Sequence, residues 1–241
     1  NPVISIKIKR SKSYPFFNFN TNYRVMNLDN PFNSATVAYF HKSSGGYHAA
    51  KMGRYQDMID FYIQRELSML QTPEKTKVLN MLNTKYYLYQ GNLVLDNQYA
   101  FGNAWFVNNT QVVENANQEI LAIGDINPKE TAVVNKKFEN LIAKSYQNNE
   151  AFIAMEDYKP NHIIYNSKSN SNQLAVFSEM YYHDDWVAYI DGKQVPHLRA
   201  HYVLRSLPVP AGEHKIEFKF EPKMIVIGDI ISISVFVLII L

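Results

Sequence analysis

An α+β unit followed by an antiparallel β-sandwich of jelly-roll type, with the start of a C-terminal transmembrane helix, is the fold class this 241-residue sequence predicts. Three features carry that expectation. Residues 14–110 mix short apolar stretches with amphipathic helical patterns. Residues 151–222 hold strand patterns spaced about 10 residues apart, the signature of an antiparallel sandwich. The run Met224–Leu241, 18 residues, carries a single charge, Asp229, near its beginning.

Taken in order, residues 1–13 form a basic lead-in. Lys7, Lys9, Arg10 and Lys12 there can touch anionic head groups or simply stay solvated. No charged segment followed by an apolar one opens the chain, so no signal peptide is expected. Tyr23–Leu28 and Thr36–Phe40 read as strands parted by the Asn30-Pro31 turn signal. Arg54–Leu70 then puts Tyr55, Met58, Ile59, Tyr62, Leu67 and Leu70 on one helical face, with Asp57, Asp60, Gln64 and Ser68 on the other. Thr72-Pro73 breaks that helix, and Glu74–Leu82 begins a second with Val78, Leu79 and Leu82 inward. Lys85–Tyr89 and Ala104–Val107 return to strand.

Residues 111–150 are a connecting segment of mixed character, in which Val134, Phe138, Leu141, Ile142 and Ser145 fit a helix after the Asn127-Pro128 turn. The sandwich follows over 151–222. His214–Phe220 alternates Ile216, Phe218 and Phe220 with Lys215, Glu217 and Lys219, as a half-buried strand does. Trp186–Ile190 is apolar on both faces, as a central strand would be. Asp191-Gly192 suits the left-handed conformations of a tight hairpin into Lys193–Val195. Ile163–Asn166, Leu174–Glu179 and Tyr202–Leu207 complete the set, and Pro210-Ala211-Gly212 supplies a further turn.

From Ile230 onward only Ser232 and Ser234 interrupt the apolar run, and a helix satisfies their backbone internally. A spanning helix needs about 20 such residues, so residues 223–241 read as a truncated transmembrane helix. A buried terminal strand or core helix would normally show a polar face over this length. The chain is thus expected to be a water-soluble region feeding into a membrane anchor. Composition excludes other classes. A hydrophobic fraction of 46% with 14% aromatics is wrong for a disordered chain. A formal net charge of +2 argues against a nucleic-acid partner. The absence of cysteine excludes disulfides, thiolate nucleophiles and cysteine-ligated metals.

The most site-like string is Ser43-Ser44-Gly45-Gly46-Tyr47-His48. Paired glycines let backbone approach a ligand closely, and Gly45, Gly46, Tyr47, His48, Lys51 and Arg54 can then face a sugar or a lipid phosphate. The competing reading is a tight turn ahead of the helix. The string is not a nucleotide loop, because it lacks the required glycine and lysine spacing. Trp186, with Trp105, Tyr181 and Tyr182, offers rings that stack on sugars or fill a core. His183-Asp184-Asp185 reads as a turn, since adjacent carboxylates on a strand point to opposite faces, and no metal site is expected. A Ser–His–Asp triad lacks any supporting elbow motif. Asn108-Asn109-Thr110 matches a glycosylation acceptor, a short pattern to which no function is attached.

Six strings carry a family resemblance. These are Pro31–Asp60, Met81–Tyr89 (MLNTKYYLY), Gly102–Val107 (GNAWFV), Tyr158–Tyr165 (YKPNHIIY), Leu174–Pro196 and Leu204–Pro222. In this order they resemble the YfhO-like bacterial membrane protein family over most of residues 22–222. The resemblance implies a polytopic protein of the bacterial cytoplasmic membrane. Its large extracytoplasmic region contains a β-sandwich and precedes the last helix. The family is similar to C-type membrane glycosyltransferases, which use a polyprenyl-phosphate sugar donor to modify cell-envelope glycopolymers. The catalytic acids of such enzymes lie on early extracytoplasmic loops, so the catalytic residues are expected to precede Asn1. This region would then serve as an accessory, acceptor-side domain with no cofactor of its own. Its partners would be the lipid bilayer and a glycopolymer or lipid-linked sugar. The alternative is a non-catalytic, membrane-anchored carbohydrate-binding or assembly module.

Overall fold

The computed structural model describes residues 9–10, 22–90, 93–147, 150–182, 185–222, 228, 231–232 and 234–236. Most of the basic lead-in, and His183 and Asp184, therefore lie outside the described residues. So does most of the expected transmembrane run. Gly228, Ile231, Ser232 and Ser234–Phe236 are helical. Among the described residues no helix is long and apolar enough to cross a membrane.

The first unit is built on β1 (Lys9–Arg10), β2 (Arg24–Asn27), β3 (Thr84–Tyr89) and β4 (Leu93–Asp96), in the order β1-β4-β3-β2. β2 and β3 run parallel, and a helical crossover joins them. It comprises α1 (Thr36–Phe40), α2 (Gly53–Met58), a π-helical turn (Ile59–Ile63), α3 (Gln64–Leu67) and α4 (Lys77–Met81). The helix expected over Arg54–Leu70 is thus present, widened mid-way by the π turn. Asn83, in the left-handed conformation (φ 55°), ends the turn after α4 and starts β3, a role asparagine tolerates well.

Thr36–Phe40 is helix and not the expected strand. The free edge of β2 is taken by Lys42–Ser44, because Val25 N–H donates to the Lys42 carbonyl and Ser44 N–H to the Val25 carbonyl. Thr36–Phe40 is left without a partner strand and closes its hydrogen bonds internally, Tyr39 N–H to Ala35 and His41 N–H to Val37.

The second sheet takes β5 (Ala104–Val107), β6 (Asn109–Val113) and β7 (Thr131–Asn135), with α5 (Ala116–Asp125) crossing between the parallel pair β6 and β7. Here too the structure departs from expectation. Thr131–Asn135 is strand, with Ala132, Val133 and Val134 fully buried, and only a 3₁₀ turn follows at Lys136–Leu141. The true helix of this segment is capped by Asn115, whose side chain accepts from Gln118 N–H.

The remaining strands are β8 (Phe152–Lys159), β9 (His162–Ser169), β10 (Gln173–Met180), β11 (Trp186–Ile190), β12 (Lys193–Val195), β13 (Leu198–Ala200), β14 (Leu204–Val209) and β15 (Gly212–Phe220). They form a six-stranded sheet, β5-β10-β14-β13-β7-β6, packed on a five-stranded antiparallel one, β12-β11-β15-β9-β8. The sandwich thus draws strands from both sides of the boundary placed at residue 150. The β11–β12 hairpin turns at Asp191 (φ 50°) and Gly192 (φ 76°), as the Asp-Gly pair dictates. β14 begins at Leu204, two residues later than the sequence pattern suggests, because His201 and Tyr202 hold left-handed backbone (φ 49° and 70°) that no strand accepts.

The six-stranded sheet is buried on both faces, which accounts for the unbroken apolar run Leu174–Phe177. Alternation sorts the two sides. Phe106, Ala175, Phe177 and Leu207 face the five-stranded sheet, together with Tyr165, Ile216 and Phe218. Trp105, Val107, Leu174, Val176 and Leu204 face the helices, where Met58, Ile59, Ile63, Leu79 and Ile123 complete the second core.

Candidate functional site

The glycine pair is set by backbone packing. A Cβ on Gly45 would lie 2.1 Å from the Pro31 carbonyl oxygen, and Gly46, at φ +94°, donates its N–H to that same oxygen at 2.7 Å. Ser44 is buried beneath, with its hydroxyl 2.6 Å from that of Thr84. The tight-turn reading is therefore correct for the glycines themselves. The turn also shapes a groove. Folding residues 43–46 onto Pro31 sets Tyr47 and His48 opposite the end of α1, and an open cavity of about 400 Å³ lies between them.

Tyr39, Phe40 and Tyr47 stand around this groove and are 83%, 55% and 64% exposed. Tyr39 and Phe40 meet edge to face at 4.8 Å. A smaller cavity of about 150 Å³ continues past Phe40 and His41 to Asn27, Asp29 and Ser34. Exposed rings and small polar groups are the means by which a protein holds the C–H face and hydroxyls of a sugar. Among the described residues lining the main groove none is a carboxylate; Asp29 lines the smaller cavity.

One wall is polar and tied to the sandwich. Lys42 donates to the Asn22 side-chain oxygen, and its ammonium sits 2.8 Å from the centroid of the Tyr158 ring. Arg24 pairs with Glu179 at 3.3 Å beside it. Burial pushes the Lys42 ammonium down to about 8; Glu179 opposes that shift and Arg24 adds to it. Burial also lowers the His41 imidazole, disfavouring its charged form.

The seven residues singled out from sequence do not converge. Gly45, Gly46, Tyr47 and His48 line the groove. Lys51 extends over the Phe32 ring at 5.8 Å. Arg54 belongs to a structural cluster: it lies 4.2 Å over the Tyr202 ring and 3.4 Å from Glu119, a fully buried carboxylate that Arg199 also holds at 3.1 Å. Trp186 sits at one end of the sandwich, over the buried Arg205 guanidinium at 4.4 Å. Trp105 is core, donating to the Pro128 carbonyl at 3.1 Å. Of the His183-Asp184-Asp185 triplet, Asp185 is described, in a turn where its carbonyl accepts from Glu221 N–H.

Sequence reasoning missed Tyr39, Phe40, His41 and Lys42. The signal was present in the run Ala-Tyr-Phe-His-Lys directly before the glycine motif, but a strand would have turned its alternate side chains inward. As a helical turn, the segment buries only Val37 and leaves both rings outside.

The model of the bacterial membrane protein YfhO family matches residues 60–232. No curated protein and no solved structure matches the chain.

Proposed function

Because the chain belongs to the family of the bacterial membrane protein YfhO, we propose that it forms the extracytoplasmic, acceptor-side domain of a polyprenyl-phosphate-sugar-dependent glycosyltransferase acting on cell-envelope glycopolymers. The observation that carries this reading is the open groove of residues 38–48, with three exposed aromatic rings and no lining carboxylate. Such a surface suits holding a polymer while chemistry proceeds elsewhere. Tyr39, Phe40 and Tyr47 stack on pyranose faces, and Lys42, Ser43 and His48 supply polar contacts. Catalytic acids belong to other loops of the membrane protein on this reading, and no residue of this chain is assigned a catalytic role.

The test is sugar transfer from a polyprenyl-phosphate donor to envelope polymer, in membranes carrying the protein of which this chain is part. Replacing Tyr39 and Tyr47 together by alanine should raise the apparent KM for the polymer about tenfold or more, since each well-placed ring contributes about 1 kcal/mol or more to binding. Membrane insertion should be unchanged. Unaltered transfer kinetics would contradict the proposal. Glycan binding without any transfer by the intact protein would favour the alternative, a non-catalytic carbohydrate-binding module.

A further inference from the structure

The sandwich has two unlike ends. At one, β15 finishes at Phe220, whose N–H donates to the Asn161 carbonyl in the β8–β9 turn, and Glu221 N–H donates to the Asp185 carbonyl. Strand register brings Trp186 opposite Phe220 and His162 opposite Lys219. Trp186 and Phe220 therefore meet at this rim, their centroids 5.6 Å apart, with Phe220 37% exposed. Tyr182, 47% exposed, is the second residue beyond the end of β10. At the other end lie the Asp191-Gly192 turn and the start of β15, about 30 Å away along a nine-residue strand. That end is polar, with His214 bound to Asp191 at 2.7 Å.

The apolar run Met224–Leu241 starts two residues beyond Pro222. Two extended residues reach about 7 Å, so whatever holds that run holds this rim close by. Aromatic side chains with a polar or ring edge settle at the head-group level of a bilayer. From this placement we infer that the end of the sandwich carrying Tyr182, Trp186 and Phe220 is a membrane-contacting surface, seated among the lipid head groups beside the apolar run. The inference rests on the membrane-anchored reading given above and adds the orientation of the domain. It brings the groove near the bilayer as well, because Lys42 of the groove wall packs on Tyr158, one residue from the rim's Lys159. The rim bears both signs of charge, Lys159 and Lys219 against Asp185 and Glu221, so the rings rather than net charge make the contact.

The chain has no cysteine, so single labels can be introduced without other changes. The full chain would be reconstituted into phosphatidylcholine vesicles containing a lipid with a quencher near its head group, with an environment-sensitive dye on Lys159→Cys at the rim or on Lys193→Cys at the opposite end. Both positions are exposed. The expected result is quenching several times stronger at position 159 than at 193, and the same when anionic lipid replaces part of the phosphatidylcholine. Equal quenching at both positions in a chain that floats with the vesicles would overturn the orientation alone. A chain that does not float with the vesicles would overturn the membrane-anchored reading and this inference together.

Discussion

The sandwich and the groove-bearing unit are stabilised by different physics. Between the two sheets, Tyr165, Phe177 and Phe218 form a fully buried triangle of edge-to-face rings at 4.7, 4.9 and 6.2 Å. The first unit has an apolar core too, with Met26, Met58, Ile63, Leu79 and Met81 fully buried, but a buried polar network runs beside it. Asn97 donates to Asn80 and to the Thr84 carbonyl, both at 2.8 Å, while Asn83 ties Asn22 to Asn103. Arg24 donates to the Leu82 carbonyl at 2.8 Å and also to that of Ser178, joining the unit to β10. An apolar core tolerates small shifts because its contacts are non-directional. A hydrogen-bonded one fixes loop geometry, and that is what the walls of a groove require.

The largest effect expected from breaking this contrast is at Phe177. Alanine there removes the centre of the ring triangle and should cost about 4 kcal/mol, read as a lower denaturant midpoint with an unchanged slope.

Next comes Glu66, buried on α3 and accepting from the N–H groups of Val78 and Leu79 at 2.9 Å, where it caps the start of α4. Burial pushes its carboxyl from an ordinary 4.5 up to about 7, outweighing the two amide donors and Lys77, which favour the charged form. A carboxyl held more tightly protonated in the folded chain stabilises it below the ordinary value. That contribution is lost as pH rises from about 4.5 through about 7. Its size is on the order of 3 kcal/mol. The Glu66→Gln variant should show a flatter dependence of unfolding free energy on pH across that window, and an unchanged slope would remove the assignment.

A smaller effect, about 2 kcal/mol, is expected for Gly45→Ala, whose methyl collides with the Pro31 carbonyl. It sharpens the comparison because the same change should open the turn and weaken binding in the groove. The smallest effect on stability is at Tyr47: alanine at this exposed ring should leave unfolding within about 0.5 kcal/mol of the parent.

How much of this was legible in the sequence follows the same division. The strands Trp186–Ile190, Lys193–Val195 and Ala104–Val107 begin and end where the sequence pattern places them, although Ala104–Val107 joins the sandwich and not the α+β unit expected for it. Their packing is governed by apolar side chains whose spacing is visible along the chain. Thr36–Phe40 was misread because its state depends on which segment wins the edge of β2, a competition that local pattern does not record. The helix at Ala116–Asp125 was missed although Asn115 caps it, since its inward face is only Glu119, Ile120, Ala122 and Ile123. For the site, the glycines announced a turn, and the turn is real. The rings opposite it became legible only once α1 was known to be helical, and Arg54 and Trp186 were drawn into ion-pair and cation–π contacts with residues far along the chain.

The most direct test of the account is a calorimetric titration of the chain with fragments of cell-envelope glycopolymer, run beside the Tyr39→Ala/Tyr47→Ala double variant. The account predicts saturable binding by the parent chain, weakened tenfold or more in the variant (about 1.4 kcal/mol or more) while its unfolding midpoint stays the same. Binding of equal strength in both, or none in the parent, would contradict the assignment of the groove.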